Sequence, residues 1–284
     1  MSSAARTLYV WRKLASAKWE DAWVERLAGF ADRLAITQPA NAKMLRVEIF
    51  ALKKTEAETL QRAFGGTAAV QKKLTPAALA KPRAPISVRG KLAVVTGERE
   101  RRSVRPGVPV LVIPAGMAFG TGEHATTATC LRLLADVAGG FAGRKWEMLD
   151  LGCGSGILGM AGRILGAARA EASDFDPHAV RTARENVVAN GLKGVVVKEV
   201  DVRAWHPART WEVVAANLFS GLLIEVSATI AAAVAADGWL ILSGILRTQE
   251  AEVIAAFRRA GVRVNRTVRK GKWVALLASR PAGK

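Results

Sequence analysis

Hydrophobic positions in the second half of the chain alternate between two spacings. Short apolar runs typical of buried strands are separated by stretches in which hydrophobic residues recur every three or four positions, as in amphipathic helices. The strand-like runs are residues 146–151, 168–174, 195–200, 211–216, 239–243, 262–268 and 273–278. The helical stretches between them are residues 157–165, 177–190, 221–235 and 248–260. This order predicts βαβ units, and therefore an α/β fold with a doubly wound, seven-stranded, Rossmann-like sheet.

The last two predicted strands are separated only by residues 269–272. Because four residues are too few for a crossover helix, we expect these strands to form an antiparallel hairpin at the end of the sheet. The large domain is predicted to span residues 110–284.

The first part of the chain has a different pattern. Residues 8–14 and 44–50 are strand-like, and residues 55–64 form a helical stretch that ends at Gly65. A further set of residues recurs at helical spacing: Trp19, Trp23, Leu27 and Phe30. We predict a small α+β, ferredoxin-like domain over residues 1–75, with this aromatic face in its core. A surface on which bases stack is the alternative.

Residues 76–109 are predicted to be a proline-rich, basic linker with short strands. The segment carries a cluster of arginines, namely Arg99, Arg101, Arg102 and Arg105. An exposed, solvated loop is the expected role of this cluster, and contact with the phosphates of a ligand is the alternative.

The composition is that of a globular protein with a strong basic bias. Half of the residues are hydrophobic and 23% are charged, which excludes a mainly disordered chain. Lysine and arginine number 42 against 24 aspartate and glutamate, a net charge of +18. Residues 1–105 contribute +12 of this excess and residues 106–284 contribute +6. Such a field attracts nucleic acid or an acidic protein face, and it points to the first third of the chain as the docking region.

Neither a membrane segment nor a disulfide framework is predicted. Cys130 and Cys153 are the only cysteines and have no CxxC spacing. The N-terminus lacks the apolar core of a signal peptide, and the longest apolar stretch, residues 226–242, is interrupted by Asp237. We therefore expect a cytoplasmic protein.

A glycine-rich loop follows the first strand of the large domain. Residues 148–159 read MLDLGCGSGILG, so that a strand carrying Asp150 leads into Gly152, Gly154 and Gly156. Glycines at this spacing allow a tight turn whose backbone N–H groups approach a ligand closely. We predict a nucleotide-like ligand at this loop, at the carboxyl end of the strand.

Asp150 helps to decide which nucleotide binds. Gly154, Gly156 and Gly159 satisfy the dinucleotide pattern GxGxxG, but a carboxylate just before the loop repels a pyrophosphate. S-adenosylmethionine has no phosphate and carries a sulfonium and an ammonium group, so a nearby carboxylate favours it. A capping role for Asp150 is the alternative.

Asp174 is the expected partner of the ribose. It ends the second strand, 22 residues after Gly152, where a carboxylate accepts hydrogen bonds from both ribose hydroxyls. Asp176 competes for this role. Because Pro177 follows it, we predict instead that Asp176 is the N-cap of the next helix.

Residues 114–127, PAGMAFGTGEHATT, are predicted to form a glycine-rich flap that leads into a helix and covers the nucleotide loop. We expect Phe119 and Gly120 of this flap to contact the cofactor. His124 has two candidate roles, a hydrogen bond that positions the flap and a part in catalysis. Because His178 and His206 lie far away without ligand spacing, no metal site is predicted.

Asn217 is the predicted catalytic residue. It follows the fourth strand of the large domain, beside the cofactor loop, where its amide accepts a hydrogen bond from a nucleophilic nitrogen and directs the lone pair at a methyl carbon. A cap for the helix that begins at Ser220 is the alternative.

Four segments in order resemble the PrmA family, whose members methylate the eleventh ribosomal protein of the large subunit. They are MAFGTGEHATT, LDLGCGSGIL, SDFDPHAV and VVAANLFSGLL. The resemblance runs from about residue 85 to the C-terminus. It implies that S-adenosylmethionine binds through Thr127, Gly152, Asp174 and Asn217. The predicted sheet ending in a hairpin is likewise that of class I methyltransferases rather than of dehydrogenases.

The resemblance also implies N-methylation of lysine side chains or of an N-terminal amine, most plainly on a ribosomal protein. In this family the N-terminal domain docks the protein substrate. Two alternatives remain open at this point: an RNA or DNA amino-methyltransferase, for which the basic first third of the chain would bind phosphates, and a non-catalytic ribosome- or RNA-binding assembly factor.

Overall fold

The computed structural model describes residues 8–16, 19, 22–23, 26–27, 30, 34–37, 43–70, 84–114, 122 and 124–282. The chain divides into two compact units, Met1–Lys81 and Pro82–Lys284. The boundary falls six residues after the one expected at residue 75. No helix in the described part of the chain is long and apolar enough to cross a membrane.

The first unit contains a four-stranded antiparallel sheet. Its strands are β1 (Tyr9–Ser16), β2 (Leu34–Thr37), β3 (Met44–Leu52) and β4 (Thr67–Val70), in the order β2-β3-β1-β4. Helix α1 (Lys54–Phe64) connects β3 to β4. The closing strand β4 lies at the edge of the sheet and pairs with β1.

The aromatic face predicted for this unit lies mostly in its core. Trp23 and Leu27 are buried beside Trp11, and the ring of Phe64 packs edge-on against Trp23 with centroids 5.7 Å apart. Trp19 departs from the expectation, because 54% of its surface is exposed.

Residues 84–109, expected to be a linker, form part of the second unit. Strands β5 (Ile86–Val88), β6 (Leu92–Val95) and β7 (Val110–Val112) make a three-stranded sheet, and α2 (Glu98–Arg101) lies between β6 and β7. Every residue of β6 is buried, because this strand is central and its side chains join the core of the unit. The short strands predicted within residues 76–109 are therefore present at 86–88 and 92–95, while residues 76–83 lie outside the described part of the chain.

The large sheet of the second unit has seven strands. After α3 (Ala125–Gly139) the order along the chain is β8 (Glu147–Leu151), α4 (Ile157–Ile164), β9 (Arg169–Asp174), α5 (Pro177–Ala189), β10 (Val195–Glu199), β11 (Trp211–Asn217), α6 (Ser220–Glu225), α7 (Ser227–Ala233), β12 (Val234–Leu246), a 3-10 turn (Arg247–Gln249), α8 (Glu250–Arg259), β13 (Arg263–Lys270) and β14 (Trp273–Ser279). The strands lie in the order β10-β9-β8-β11-β12-β14-β13. Six of the seven end within two residues of the predicted positions.

One predicted helix is divided. The stretch 221–235 forms two short helices, α6 and α7, and its last residues belong to β12. Val234 pairs with Trp211 of β11 and is fully buried. Residues 234–235, which the alanine-rich pattern predicted to be helical, therefore belong to the sheet.

The first five strands of the sheet are parallel, and β14 pairs antiparallel with both β12 and β13. Two hydrophobic clusters cover the two faces. One includes Leu134 of α3 and Met160 of α4, and the other includes Ile230 of α7 and Phe257 of α8. Both faces are therefore buried, which explains why the parallel strands appear as continuous apolar runs.

Candidate functional site

Three neighbouring strands end side by side at one edge of the large sheet. Leu151 at the end of β8 is paired with Ser173 of β9 on one side and with Ala216 of β11 on the other. The residues that follow these positions are Gly152, Asp174 and Asn217. The chain returns to β11 only after β9 and β10, so the strand order reverses beside β8. Open α/β sheets bind their ligands at such a point.

The loop after β8 has the backbone expected for close approach to a ligand. Gly152, Gly154 and Gly156 all have positive φ, and α4 begins directly after Gly156. A Cβ added to Gly152 would lie 2.2 Å from Cδ2 of Leu218. Glycine at position 152 therefore lets the loop pack against the segment that follows Asn217.

Asp174 is held in place by the backbone around it. Its Oδ2 accepts a hydrogen bond from the Gly154 N–H at 2.9 Å, and its Oδ1 accepts one from the Asp176 N–H at 3.1 Å. The residue is 9% exposed. Each oxygen keeps acceptor capacity for a further donor, so the carboxylate is oriented to receive hydroxyl groups from a ligand.

Asp176 caps α5. Its Oδ1 accepts a hydrogen bond from the His178 N–H at 2.9 Å, and Pro177 occupies the first helical position. The predicted N-cap is confirmed. Because the Asp176 carboxylate is engaged in this cap, Asp174 is the better candidate for the ribose.

Asp150 is fully buried beneath α4. Its Oδ2 accepts a hydrogen bond from the Gly159 N–H at 2.9 Å, which is the helix-capping alternative weighed for this residue. Burial raises the pKa of Asp150 to about 7, the nearby Asp174 carboxylate also raises it, and the Gly159 hydrogen bond lowers it. Its contact with a cationic ligand stays a prediction.

Stability is expected to fall as the pH rises from about 5 to 7. The pKa of aspartate in an unfolded chain is about 3.9, so in this window the folded chain keeps a proton on Asp150 that the unfolded chain has lost. The free energy of unfolding should decrease by up to about 1.4 kcal/mol per pH unit from this residue. Urea unfolding at pH 5 and pH 7 measures the loss, and Asp150→Asn should reduce it by about 2 kcal/mol. Equal losses in the two proteins would contradict the expectation.

The Asn217 side chain faces the first turn of α3. Its Nδ2 lies 3.4 Å from Oγ1 of Thr126 and 3.5 Å from Oγ1 of Thr127, and both threonines are buried. Within the described residues, no hydrogen bond reaches Oδ1 of Asn217. The amide is therefore oriented by its donor group, while its acceptor oxygen remains available to a ligand.

His124 caps α3 at the end of the predicted flap. Its Nδ1 lies 2.6 Å from Oγ1 of Thr126, and its ring packs edge-on against Trp273 with centroids 5.2 Å apart. These contacts support the positioning role, one of the two roles considered for this residue. Phe119 and Gly120 of the flap lie outside the described residues.

Two residues of the site were not found by sequence reasoning. Leu218 lies between the nucleotide loop and β12, because its side chain covers Gly152 and its backbone contacts Gly244. Thr126 joins His124 to Asn217. The threonine pair was visible in the sequence, but nothing in it showed that Thr126 reaches Asn217.

Gly244→Ala is expected to destabilise the protein by about 2 kcal/mol or more. Gly244 has a φ of 82°, and a Cβ there would lie 2.3 Å from the carbonyl oxygen of Leu218. Gly261→Ala is the matched control, because Gly261 has a φ of 81° and nothing within 4 Å of the added Cβ. Denaturant unfolding should show a loss for Gly244→Ala well above that for Gly261→Ala. Equal losses would mean that backbone strain alone is responsible.

The site suits a nucleoside without phosphates. It offers a carboxylate for hydroxyl groups, a glycine loop, a second buried carboxylate beneath the helix N-terminus, and an amide acceptor. The buried carboxylate of Asp150 lies directly below the loop, where it would repel a pyrophosphate. The residues therefore fit S-adenosylmethionine better than a dinucleotide.

No cluster of three or more metal-ligating side chains occurs in the described part of the chain. Both cysteines are buried free thiols. Burial raises the pKa of Cys130 to about 12, so this thiol is neutral near pH 7 and is a poor nucleophile.

Comparison with known proteins gives a consistent result. The family model described as ribosomal protein L11 methyltransferase (PrmA) matches residues 76–281. A ribosomal protein L11 methyltransferase of Geobacter metallireducens is 42% identical over 188 residues, which is 66% of this chain and 60% of that protein. A protein of the same name from Rhizobium etli is 39% identical over 198 residues, 68% of this chain and 67% of that protein.

A solved structure agrees in fold. The ribosomal protein L11 methylase of Lactobacillus delbrueckii subsp. bulgaricus superposes with a TM-score of 0.60 at 25% identity, covering 70% of this chain and all of that one. This match confirms a Rossmann-like methyltransferase fold with a mixed, seven-stranded sheet. Since the family model matches most of the chain, the protein belongs to the ribosomal protein L11 methyltransferase (PrmA) family.

Proposed function

We propose that this protein transfers a methyl group from S-adenosylmethionine to an amine of a ribosomal protein. The observation that carries the proposal is the meeting of the glycine loop, Asp174 and Asn217 at the ends of three adjacent strands. Membership in a methyltransferase family supports the reaction class. The chain aligns with 60% of the length of the Geobacter relative, so the activity of the whole protein is a proposal that rests on the site as well as on the family.

The cofactor is S-adenosylmethionine, which when bound supplies an activated methyl group on a positively charged sulfur. Asp174 would accept hydrogen bonds from the ribose hydroxyls, and the backbone at Gly152 and Gly154 would approach the cofactor closely. Thr127, at the start of α3, would also contact the cofactor, and the predicted contacts of Phe119 and Gly120 involve residues outside the described part of the chain. Asp150 lies below the loop and contributes negative potential when it is ionised.

Asn217 orients the acceptor amine. Its Oδ1 accepts a hydrogen bond from the nitrogen, while Thr126 and Thr127 hold its Nδ2. Alignment of two reactants in attack geometry lowers a barrier by about 7–11 kcal/mol in favourable cases. A lysine acceptor has a reference pKa of about 10.4 and must lose its proton first, so turnover should increase with pH.

The acceptor is proposed to be ribosomal protein L11, which is named in both bacterial relatives. The first unit recognises it. Its strand order β2-β3-β1-β4, with a helix before β4, supports the ferredoxin-like arrangement. Residues 1–81, which form this unit, contain 14 lysine and arginine residues against 7 aspartate and glutamate residues, and the net charge of +7 favours an acidic protein face. A cytoplasmic location follows from a ribosomal substrate and remains a prediction.

A second candidate function is amino-methylation of RNA. Phe219 is 73% exposed and lies two residues after Asn217, where its ring is available to stack on an unpaired base. Arg99, Arg102 and Arg105 are exposed as well, and they would bind phosphates.

The test is a labelling experiment with separate arms. The purified protein is incubated with radiolabelled S-adenosylmethionine and either purified L11 or a bacterial lysate, with and without ribonuclease. Label on L11 in the purified arm supports the proposal. Label that is confined to nucleic acid and disappears with ribonuclease supports the second candidate. No incorporation in any arm, despite cofactor binding, would contradict both.

A further inference from the structure

The side-chain amide of Asn190, the C-cap residue of α5, forms hydrogen bonds with the backbone of β7. Its Oδ1 accepts a hydrogen bond from the Val112 N–H, and its Nδ2 donates one to the Val112 carbonyl, both at 2.8 Å. Since β7 is an edge strand of its three-stranded sheet, these backbone groups have no strand partner on that side. The side-chain amide therefore satisfies the peptide groups of the edge.

The same helix reaches the nucleotide loop one turn earlier. Nδ2 of Asn186 donates a hydrogen bond to the Ser155 carbonyl at 2.9 Å, and the residue is 6% exposed. Ser155 lies between Gly154 and Gly156, in the loop that approaches the cofactor. Nδ2 of Asn190 also donates to the Asn186 carbonyl at 2.8 Å. The two asparagines thus form a continuous connection from β7 to the loop.

We propose that Asn186 is a positioning residue for cofactor binding, and that Asn190 supports it from β7. Glycines at positions 152, 154 and 156 give the loop its shape but do not restrict it to one conformation. The hydrogen bond from Asn186 to Ser155 supplies that restriction, because it connects the loop to the regular backbone of α5. This inference rests on the proposed function and names residues that the family resemblance did not.

The two asparagines differ in a way that separates positioning from general stability. Asn190 makes three hydrogen bonds to the backbone, and Asn186 donates one through its side chain. Loss of Asn190 should therefore cost more stability. Loss of Asn186 should cost more cofactor affinity, because of the two asparagines it is Asn186 that donates a hydrogen bond to the loop. If both asparagines were merely structural, the variant with the larger loss of stability would also show the larger loss of cofactor affinity.

The experiment measures binding of S-adenosylhomocysteine by calorimetry, well below the melting temperature of each variant. Asn186→Ala should raise Kd about tenfold, and Asn190→Ala should raise it about threefold with the larger fall in Tm. Amide hydrogen exchange at residues 152–160 should accelerate most in Asn186→Ala. Asn186→Asp preserves the side-chain volume and removes the donor, so it tests the same hydrogen bond if the alanine variant does not fold.

Glu212→Ala is the matched control. Oε2 of Glu212 accepts a hydrogen bond from the Glu147 N–H at 2.7 Å. Both residues lie at the N-terminal ends of their strands, β11 and β8, whereas the site lies at the C-terminal ends. This variant should lower Tm and leave Kd within twofold. The inference is overturned if Kd follows Tm across the three positions, or if Asn186→Ala and Asn186→Asp bind like the unaltered protein. If the unaltered protein itself does not bind the ligand, the proposed function fails instead.

Discussion

Asn217→Ala is expected to lower kcat about 100-fold or more while leaving the affinity for S-adenosylmethionine within threefold. The variant loses the acceptor that orients the amine, and misalignment of reactants by about 1 Å costs a factor of this size. Steady-state methylation of L11 measures kcat, and calorimetry measures cofactor affinity.

Asn265→Ala is a suitable control for Asn217, because Asn265 is an exposed amide on β13, an edge strand, that contacts Ser279. Its kcat should match that of the unaltered protein. An unchanged kcat in Asn217→Ala would remove this residue from the acceptor site. An equal loss of cofactor affinity would instead assign it to cofactor binding.

Asp174→Ala is expected to weaken cofactor binding about 100-fold or more. Two hydrogen bonds to a charged acceptor are lost, and each contributes about 1.5–3 kcal/mol in favourable cases. The Gly154 N–H also loses its partner, so the loop is less well ordered. Calorimetry with S-adenosylmethionine measures the change in Kd.

Asp176→Ala provides the matched control for Asp174. It removes a neighbouring carboxylate whose Oδ1 caps α5 through the His178 N–H, so it should cost about 1 kcal/mol of stability. Its Kd should stay within threefold. The ribose assignment to Asp174 fails if Asp174→Ala binds normally, and it passes to Asp176 if the control shows the larger loss.

The location of the site limits what the positive charge of the chain indicates about function. The described site residues at the strand ends are glycines, carboxylates and an amide, which suit a cationic cofactor rather than phosphate. The excess of lysine and arginine lies mainly in residues 1–105. It therefore bears on docking of the substrate, and not on the chemical step.

The hydrophobic pattern predicted the elements of the large sheet well, because a strand buried on both faces requires a continuous apolar run. It failed where composition and tertiary pairing disagreed. Residues 234–235 resemble a helix by alanine content, yet Val234 pairs with β11. Residues 92–95 lie in a proline-rich segment for which short strands were predicted, and all four are buried in β6. Local preference is weak compared with the burial that a neighbouring strand provides.

The amino-acid sequence by itself determined which residues stand at the ends of the parallel strands, since each end follows directly from where an apolar run stops. Gly152, Asp174 and Asn217 were found in this way. Only the tertiary structure decided what holds them. Thr126 contacts Asn217, 91 positions away in the sequence, and Asn190 contacts Val112, 78 positions away. The periodicity of a sequence shows which side of an element is buried, but it does not show which distant element packs against that side.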